Sequence, residues 1–215
     1  HTVGPMRASR LFVNDLEEQN LLANVTDVKV ELYGSLGQTG IGHGSGKAVI
    51  LGLAGYDPET IDADLVDDIL NKIEQEQVIY LNQTHKANFP KQGAIVFHRR
   101  KTLPKHSNAM EIIASNNGEK VYSQVYYSIG GGFIVTDAEF EKEKQAALDI
   151  REENPAPYPF NTAQELLEQC KETGFSVSTL MMHNEKTLRK ESDIKDELFK
   201  IWQVMKACIE RGMRT

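Results

Sequence analysis

The sequence predicts an α+β domain built on a mostly antiparallel sheet, followed by a short run of helices; an α/β arrangement is the alternative. Three observations carry this. Val28, Val30 and Leu32 alternate with Lys29 and Glu31, the pattern of a half-buried strand. Two further strand patterns, Ala109 to Ala114 and Lys120 to Tyr127, flank Asn116-Asn-Gly118, a hairpin turn signal. After Thr136 the composition turns strongly charged, then proline-rich, then helical to the end.

In order, Gly4-Pro5 opens a helix at a position where the missing proline amide does no harm. Its apolar stripe is Leu11, Phe12, Val13 and Leu16. The strand at Val28 to Leu32 leads into Gly34-Ser-Leu-Gly-Gln-Thr-Gly-Ile-Gly-His-Gly-Ser-Gly46, with six glycines, three hydroxyl side chains and His43. We expect a loop here, and Ala48 to Ala54 to form a buried helix whose start faces it. Leu65, Val66, Ile69, Leu70 and Ile73 make an amphipathic helix. Val78 to Leu81 and Gly93 to His98 are short strand candidates, and Ser128 to Val135 is a second glycine cluster leading into a strand. Asn154-Pro-Ala-Pro-Tyr-Pro-Phe160 suits an extended linker. Beyond it Thr162-Ala-Gln-Glu165 reads as a capping box, Val177 to Leu188 as a helix, and Ser192 as the cap of a third helix. That third helix carries Ile194, Leu198, Ile201, Trp202, Met205 and Ile209 on one face, with little in its own segment to cover them. The expected division is 1–150, a linker at 151–161, and 162–215 as the start of an incomplete helical domain. The alternative is that these helices pack on the first domain.

Bulk properties narrow the function. A net charge of −7 on 215 residues, with 40% hydrophobic and 26% charged residues, is ordinary for a globular protein and argues against non-specific nucleic-acid binding. No apolar run approaches the ~20 residues a membrane span needs, and no secretory leader is visible. Cys170 and Cys208 lie in helical patterns without metal-ligand spacing, consistent with a reducing, cytoplasmic compartment. The chain opens on His1 rather than Met, so the natural chain is expected to begin earlier.

The glycine stretch is the candidate site. Amides in such a turn can approach a carboxylate or phosphate, and His43 is the side chain most ready to move a proton near neutral pH. A tight connection with no ligand is the competing reading. A nucleotide P-loop fails on spacing: Ile41 stands where Walker A needs glycine, and Ala48 follows Lys47 where a hydroxyl should stand.

Four ordered stretches, His1-Thr-Val-Gly-Pro-Met6, Tyr33-Gly-Ser-Leu with Thr39-Gly-Ile-Gly-His43, Leu103-Pro-Lys-His-Ser-Asn-Ala-Met110 and Tyr126-Tyr-Ser-Ile-Gly-Gly-Gly-Phe133, together resemble the bacterial iron–sulfur L-serine dehydratases, or L-serine ammonia-lyases. The resemblance runs on through Pro157-Tyr-Pro-Phe160 to Ala207-Cys-Ile-Glu-Arg-Gly-Met213. It implies a β domain similar to the allosteric substrate-binding domain of some phosphoglycerate dehydrogenases. A helical α domain then follows, whose cysteines hold a [4Fe-4S] cluster with ligands outside this chain; Cys170 and Cys208 are not among them. It also implies L-serine as substrate, pyruvate and ammonia as products, the remaining α domain as a partner, and a homodimer. Two departures stand out: the serines expected before His1 are not in this chain, and Ser45 stands where the family often has Thr.

On this resemblance His43 is the base for the substrate α-proton and His1 a second acid/base or substrate contact. Ser45 and Asn108 are carboxylate donors, with Thr2 and Ser128 as further substrate-binding candidates. Asn108 could instead be a turn residue, His1 a frayed terminus, and Ser128 a means of close strand packing beside Gly130 to Gly132. His106 is expected to be structural, and His85, His98 and His183 to be ordinary surface or core histidines. The rival from another class is a regulatory amino-acid-binding module without chemistry. A pyridoxal-phosphate dehydratase is weaker still, because no lysine stands in a recognisable setting for it.

Overall fold

The computed structural model describes residues 1–140, 142 and 155–214. The chain divides into two compact units, His1–Glu143 and Lys144–Thr215.

The first unit is α+β, as its alternating and glycine-punctuated patterns predict. It begins with α1 (Val3–Glu18), followed by β1 (Asp27–Tyr33), α2 (Gly34–Thr39), α3 (Ser45–Leu53) and α4 (Val66–Glu76). Six strands follow: β2 (Val78–Leu81), β3 (His85–Asn88), β4 (Ile95–Phe97), β5 (Asn108–Asn116), β6 (Glu119–Gly130) and β7 (Phe133–Thr136). They form one seven-stranded sheet in the order β2-β3-β1-β5-β6-β7, with β4 joined to β1. β1 is its axis. One edge pairs antiparallel with β5 along its whole length, from Asp27 opposite Ser115 to Tyr33 opposite Ala109. The other edge is shared in succession by two parallel partners, β3 at Asp27 and β4 from Val30 to Leu32.

Alternation decides which face each residue covers. Val28, Val30 and Leu32 point with Ile112 and Tyr126 into the main core, where Phe12, Val13 and Leu16 of α1 and Val49 and Leu53 of α3 meet them. Tyr33, Ala109, Tyr127 and Val135 make a smaller cluster with Leu103, Val125 and Phe140. The β5–β6 connection is the predicted Asn116-Asn-Gly118 hairpin, with positive φ at Asn117 and Gly118. The second glycine cluster makes another hairpin, β6 to β7.

Several expectations need correction. Leu11 is exposed and lies off the α1 stripe. The strand expected over Gly93 to His98 is limited to Ile95–Phe97. The strand β3 carries only Ala87 as a buried residue among polar neighbours, so no apolar pattern announces it. The glycine stretch is not an open loop: its first half is α2, held in place because Leu36 is buried in the core.

The second unit contains α5 (Ala163–Thr173), α6 (Val177–Glu185) and α7 (Glu191–Gly212). The capping box at α5 is present in full: Thr162 accepts from the Glu165 amide, and the Glu165 carboxylate accepts from the Thr162 amide. Ser192 does not cap α7. The helix starts two residues earlier than that cap would set it, at Glu191 after Lys190, and the Ser192 hydroxyl donates to Asp193 instead. On α7 Ile194 is buried, whereas Leu198, Ile201, Trp202, Met205 and Ile209 are at least half exposed. Residues 151–154 of the expected linker, and most of the charged run before it, lie outside the described residues, and 155–161 form neither helix nor strand.

Candidate active site

The site forms where β1 ends, β5 begins and β6 ends. Register alone brings these points together. Beyond Tyr33 and Ala109 the ladder continues as an isolated bridge between Gly34 and Asn108. Gly34 also gives its amide to the Lys101 carbonyl (2.8 Å), and Ser35 gives its amide to the Ser107 carbonyl (2.8 Å). The turn from strand into α2 requires glycine: φ is +56° at Gly34, and a Cβ there would lie 2.1 Å from the Ser107 carbonyl oxygen. Asn108 is thereby fixed beside the first turn of α2, and its amide donates to His106 Nδ1 (3.1 Å).

The segment before α1 lies across this junction. His1 Nε2 is 3.2 Å from Asn108 Oδ1 and 3.4 Å from Ser35 Oγ, and His1 Nδ1 is 3.1 Å from Thr39 Oγ1. The buried Ser45 hydroxyl, at the start of α3, donates to the His1 carbonyl. Thr2 Oγ1 donates to the His43 carbonyl at 2.8 Å. The His43 ring stands edge-on to His1, with centroids 4.9 Å apart and planes at 85°. His43 is exposed, in the turn between α2 and α3. The structure thus brings His1, Thr2, His43, Ser45 and Asn108 into one cluster.

Ser128 joins that cluster through its backbone only. Its carbonyl accepts from Asn108 Nδ2 at 3.4 Å. Its hydroxyl is turned to the start of α1 and occupies the space a Cβ on Gly4 would need, 2.2 Å away. Ser35 and Thr39 are members that the sequence reading counted as hydroxyls of the glycine stretch without giving them roles. Their spacing of four residues, which puts two side chains on one helix face, was the available signal.

The other histidines sit elsewhere. His98 Nε2 meets Glu31 at 3.1 Å and its ring stacks on Tyr33 with centroids 4.7 Å apart. Glu31 also accepts from Lys29 Nζ and Tyr33 Oη, each at 2.5 Å. The Lys29 bond, then the Tyr33 bond, hold the Glu31 carboxyl down at about 2, while burial and the Glu31 contact push the Tyr33 hydroxyl up. His85 bonds the Val25 carbonyl at 2.7 Å, and His183 stacks on Phe175. A separate cleft of about 430 Å³ between α3 and α4, lined by Lys47, Ile50, Leu70, Phe89 and Phe97 among others, contains none of the candidate residues.

Comparison with known proteins fits this geometry. Residues 1–139 match the family described as serine dehydratase beta chain. The chain belongs to that family. Every candidate residue named above lies inside the matched span. The chain is similar to whole proteins along its entire length. It is 46% identical over 216 residues to L-serine dehydratase 1 of Escherichia coli strain K12, covering 100% of this chain and 46% of that protein. It is 46% identical over 214 residues to the L-serine dehydratase of Streptomyces coelicolor, covering 99% of this chain and 46% of that one. Against the L-serine dehydratase of Haemophilus influenzae the figures are 39% over 217 residues, 100% and 46%. The chain therefore spans about half the length of the curated relatives it matches.

The cluster gathers hydroxyl and amide groups, with an exposed imidazole beside them. Among the described residues no group of three or more His, Cys, Asp and Glu side chains could hold a metal ion. Cys170 and Cys208 are free and lie on different helices, α5 and α7. These residues do not fit an iron–sulfur cluster, which needs several converging thiolates. Among the described residues, no helix is long and apolar enough to cross a membrane.

Proposed function

We propose that the chain is the N-terminal part of an L-serine dehydratase that converts L-serine to pyruvate and ammonia. The observation that carries this is the meeting of His1 and His43 over Asn108 and Ser45, inside the span that matches the serine dehydratase family. The names and lengths of the relatives support the reading.

In this reading His43 takes the substrate α-proton. It suits that task because it is exposed on a turn, while its backbone carbonyl is held by Thr2. His1, Asn108, Ser45 and Thr2 form the binding side, the short neutral groups accommodating a carboxylate without opposing its charge. In this reading the [4Fe-4S] cluster takes its ligands from a part of the protein outside this chain and supplies the Lewis acid for the departing hydroxyl. The exposed apolar face of α7 suits a partner surface in that same part. The reading extends to a cytoplasmic homodimer, and the free thiols of Cys170 and Cys208 suit a reducing compartment.

The test is pyruvate release from L-serine by the complete protein, prepared without oxygen and supplied with iron and sulfide. Turnover that collapses in His43→Ala while serine binding survives supports the reading. Near-normal turnover in that variant with altered cooperativity would transfer the site to a regulatory role.

A further inference from the structure

The cleft of about 430 Å³ between α3 and α4 has a chemistry of its own, and its volume falls among those of small-molecule sites, roughly 300–1,000 Å³. Ile50, Leu70, Phe89, Ile95 and Phe97 give it an apolar lining. Lys47 of α3 borders one side, Asp67 and Asn71 of α4 the other. The two α4 residues are four apart and so share one helix face. Among the described residues none of these three side chains has a hydrogen-bond or ion-pair partner, whereas Glu74 and Lys91 at the same cleft pair with each other. Unpaired charges of opposite sign on two sides of an apolar cleft complement a zwitterion with an apolar body. A plain carboxylate would suit Lys47 but meet Asp67 as a like charge, and a plain amine would do the reverse.

The cleft also shares a wall with the glycine stretch. A Cβ on Gly46 would lie 3.4 Å from Phe97 Cζ, and one on Gly40 would lie 3.1 Å from Phe97 Cε1 and 3.0 Å from Ser45 Oγ. The Phe97 ring therefore packs against the bare backbone of both glycines, close to the Ser45 hydroxyl that donates to the His1 carbonyl. Gly46 and Lys47, which follow Ser45 in the first turn of α3, line the cleft directly. The opposite side is lightly held: Ile73 is the buried residue of α4, and Val66, Ile69 and Leu70 are only partly covered. A ligand with an apolar side chain would cover more of this helix and tie it to the start of α3.

We propose that the α3–α4 cleft binds an α-amino acid with a large apolar side chain, distinct from serine, and that this ligand activates the enzyme by holding the start of α3 in place. Lys47 takes the carboxylate, Asp67 the ammonium, Asn71 bonds either group, and the side chain enters between Leu70 and Phe97. The binding half stands on the cleft alone; the activating half rests on the dehydratase reading. The effect reaches the candidate site through Ser45, whose bond to His1 depends on where α3 begins.

The test has two arms. Calorimetric titration of the complete protein with L-phenylalanine should show one site per chain that excess L-serine does not displace. L-Alanine, which lacks the large side chain, and 3-phenylpropanoate, which lacks the ammonium, should each bind roughly tenfold more weakly or worse. Lys47→Gln and Asp67→Asn, both exposed positions, should each weaken L-phenylalanine by about the same factor. Absence of binding, displacement by L-serine, or an affinity that neither substitution moves overturns the proposal. In the second arm, saturating L-phenylalanine should lower KM for L-serine about fivefold in the parent enzyme, the small end of common couplings between sites, and by less in Asp67→Asn at the same concentration. A KM unchanged or raised by the bound ligand overturns the activating half. If the parent enzyme releases no pyruvate from serine, the dehydratase reading fails, and the titration still judges the cleft.

Discussion

His43 presents its ring edge-on to His1 at 4.9 Å, although the two residues reach that contact from different sides of the junction. His1 is tied down by Ser35, Thr39, Ser45 and Asn108, whereas the His43 ring is exposed and the residue is held through its backbone, its carbonyl accepting from Thr2 and its amide donating to the Thr39 carbonyl. One imidazole is fixed and the other is free to meet a proton. That asymmetry separates the roles assigned to them.

Replacing His43 by Asn should lower kcat of the complete enzyme by roughly 10²–10⁴-fold, the range for loss of a general base. KM should change much less, because the binding groups are elsewhere. Steady-state kinetics on L-serine settles it, and a variant that loses affinity while keeping kcat would make His43 a binding residue.

Gly34→Ala should destabilise the first unit by about 2 kcal/mol or more, from a left-handed backbone angle and a clash with the Ser107 carbonyl. A melting temperature lower by several degrees is expected. An unshifted melting curve would show that the entry to α2 is not constrained as described.

Glu31 should make stability pH-dependent in acid. Its folded carboxyl lies at about 2, below the ordinary 4.5, mainly through the Lys29 and Tyr33 bonds. Because the folded value is the lower one, this stabilisation is fully present above pH 4.5 and is lost as pH falls toward 2. Its size is on the order of 2–3 kcal/mol. Urea midpoints measured across that window should fall less steeply in Glu31→Gln than in the parent chain; parallel slopes would remove Glu31 from the account.

The 215-residue chain alone should release no pyruvate from L-serine. Hydroxide is a poor leaving group at neutral pH and needs an acid or a metal to assist it. The two cysteines here, on separate helices, do not assemble a cluster to provide one. Sustained turnover by the chain alone would show that its own residues complete the reaction.

Much of the first unit was legible because its elements bury apolar residues at regular spacing. Val28, Val30 and Leu32 alternate into the core, and Asn116-Asn-Gly118 turns where its chemistry allows positive φ. Where burial is sparse the pattern goes silent. The short strand β3 is placed by pairing with β1 and β2 rather than by its own side chains. The helix α2 is hidden by glycines whose reason is close packing: Gly37 carries no side chain because a Cβ would meet the His98 and Leu32 carbonyl oxygens at 2.3 and 2.7 Å. Of the site, composition pointed to His43 and the hydroxyls, and resemblance to His1 and Asn108. The contacts of Ser35 and Thr39 with His1 depend on α2, which the glycines hide, and only the packed arrangement shows them.

His1 and Asn108 are 107 positions apart in sequence and in contact in space. On a ribosome His1 emerges ahead of Asn108, so their contact waits until the start of β5 has followed it out. A nascent chain arrested before that point carries both imidazoles and the whole glycine stretch, yet lacks Asn108. The complete cluster can therefore form only after most of the first unit has been synthesised, a timing imposed by chain order alone.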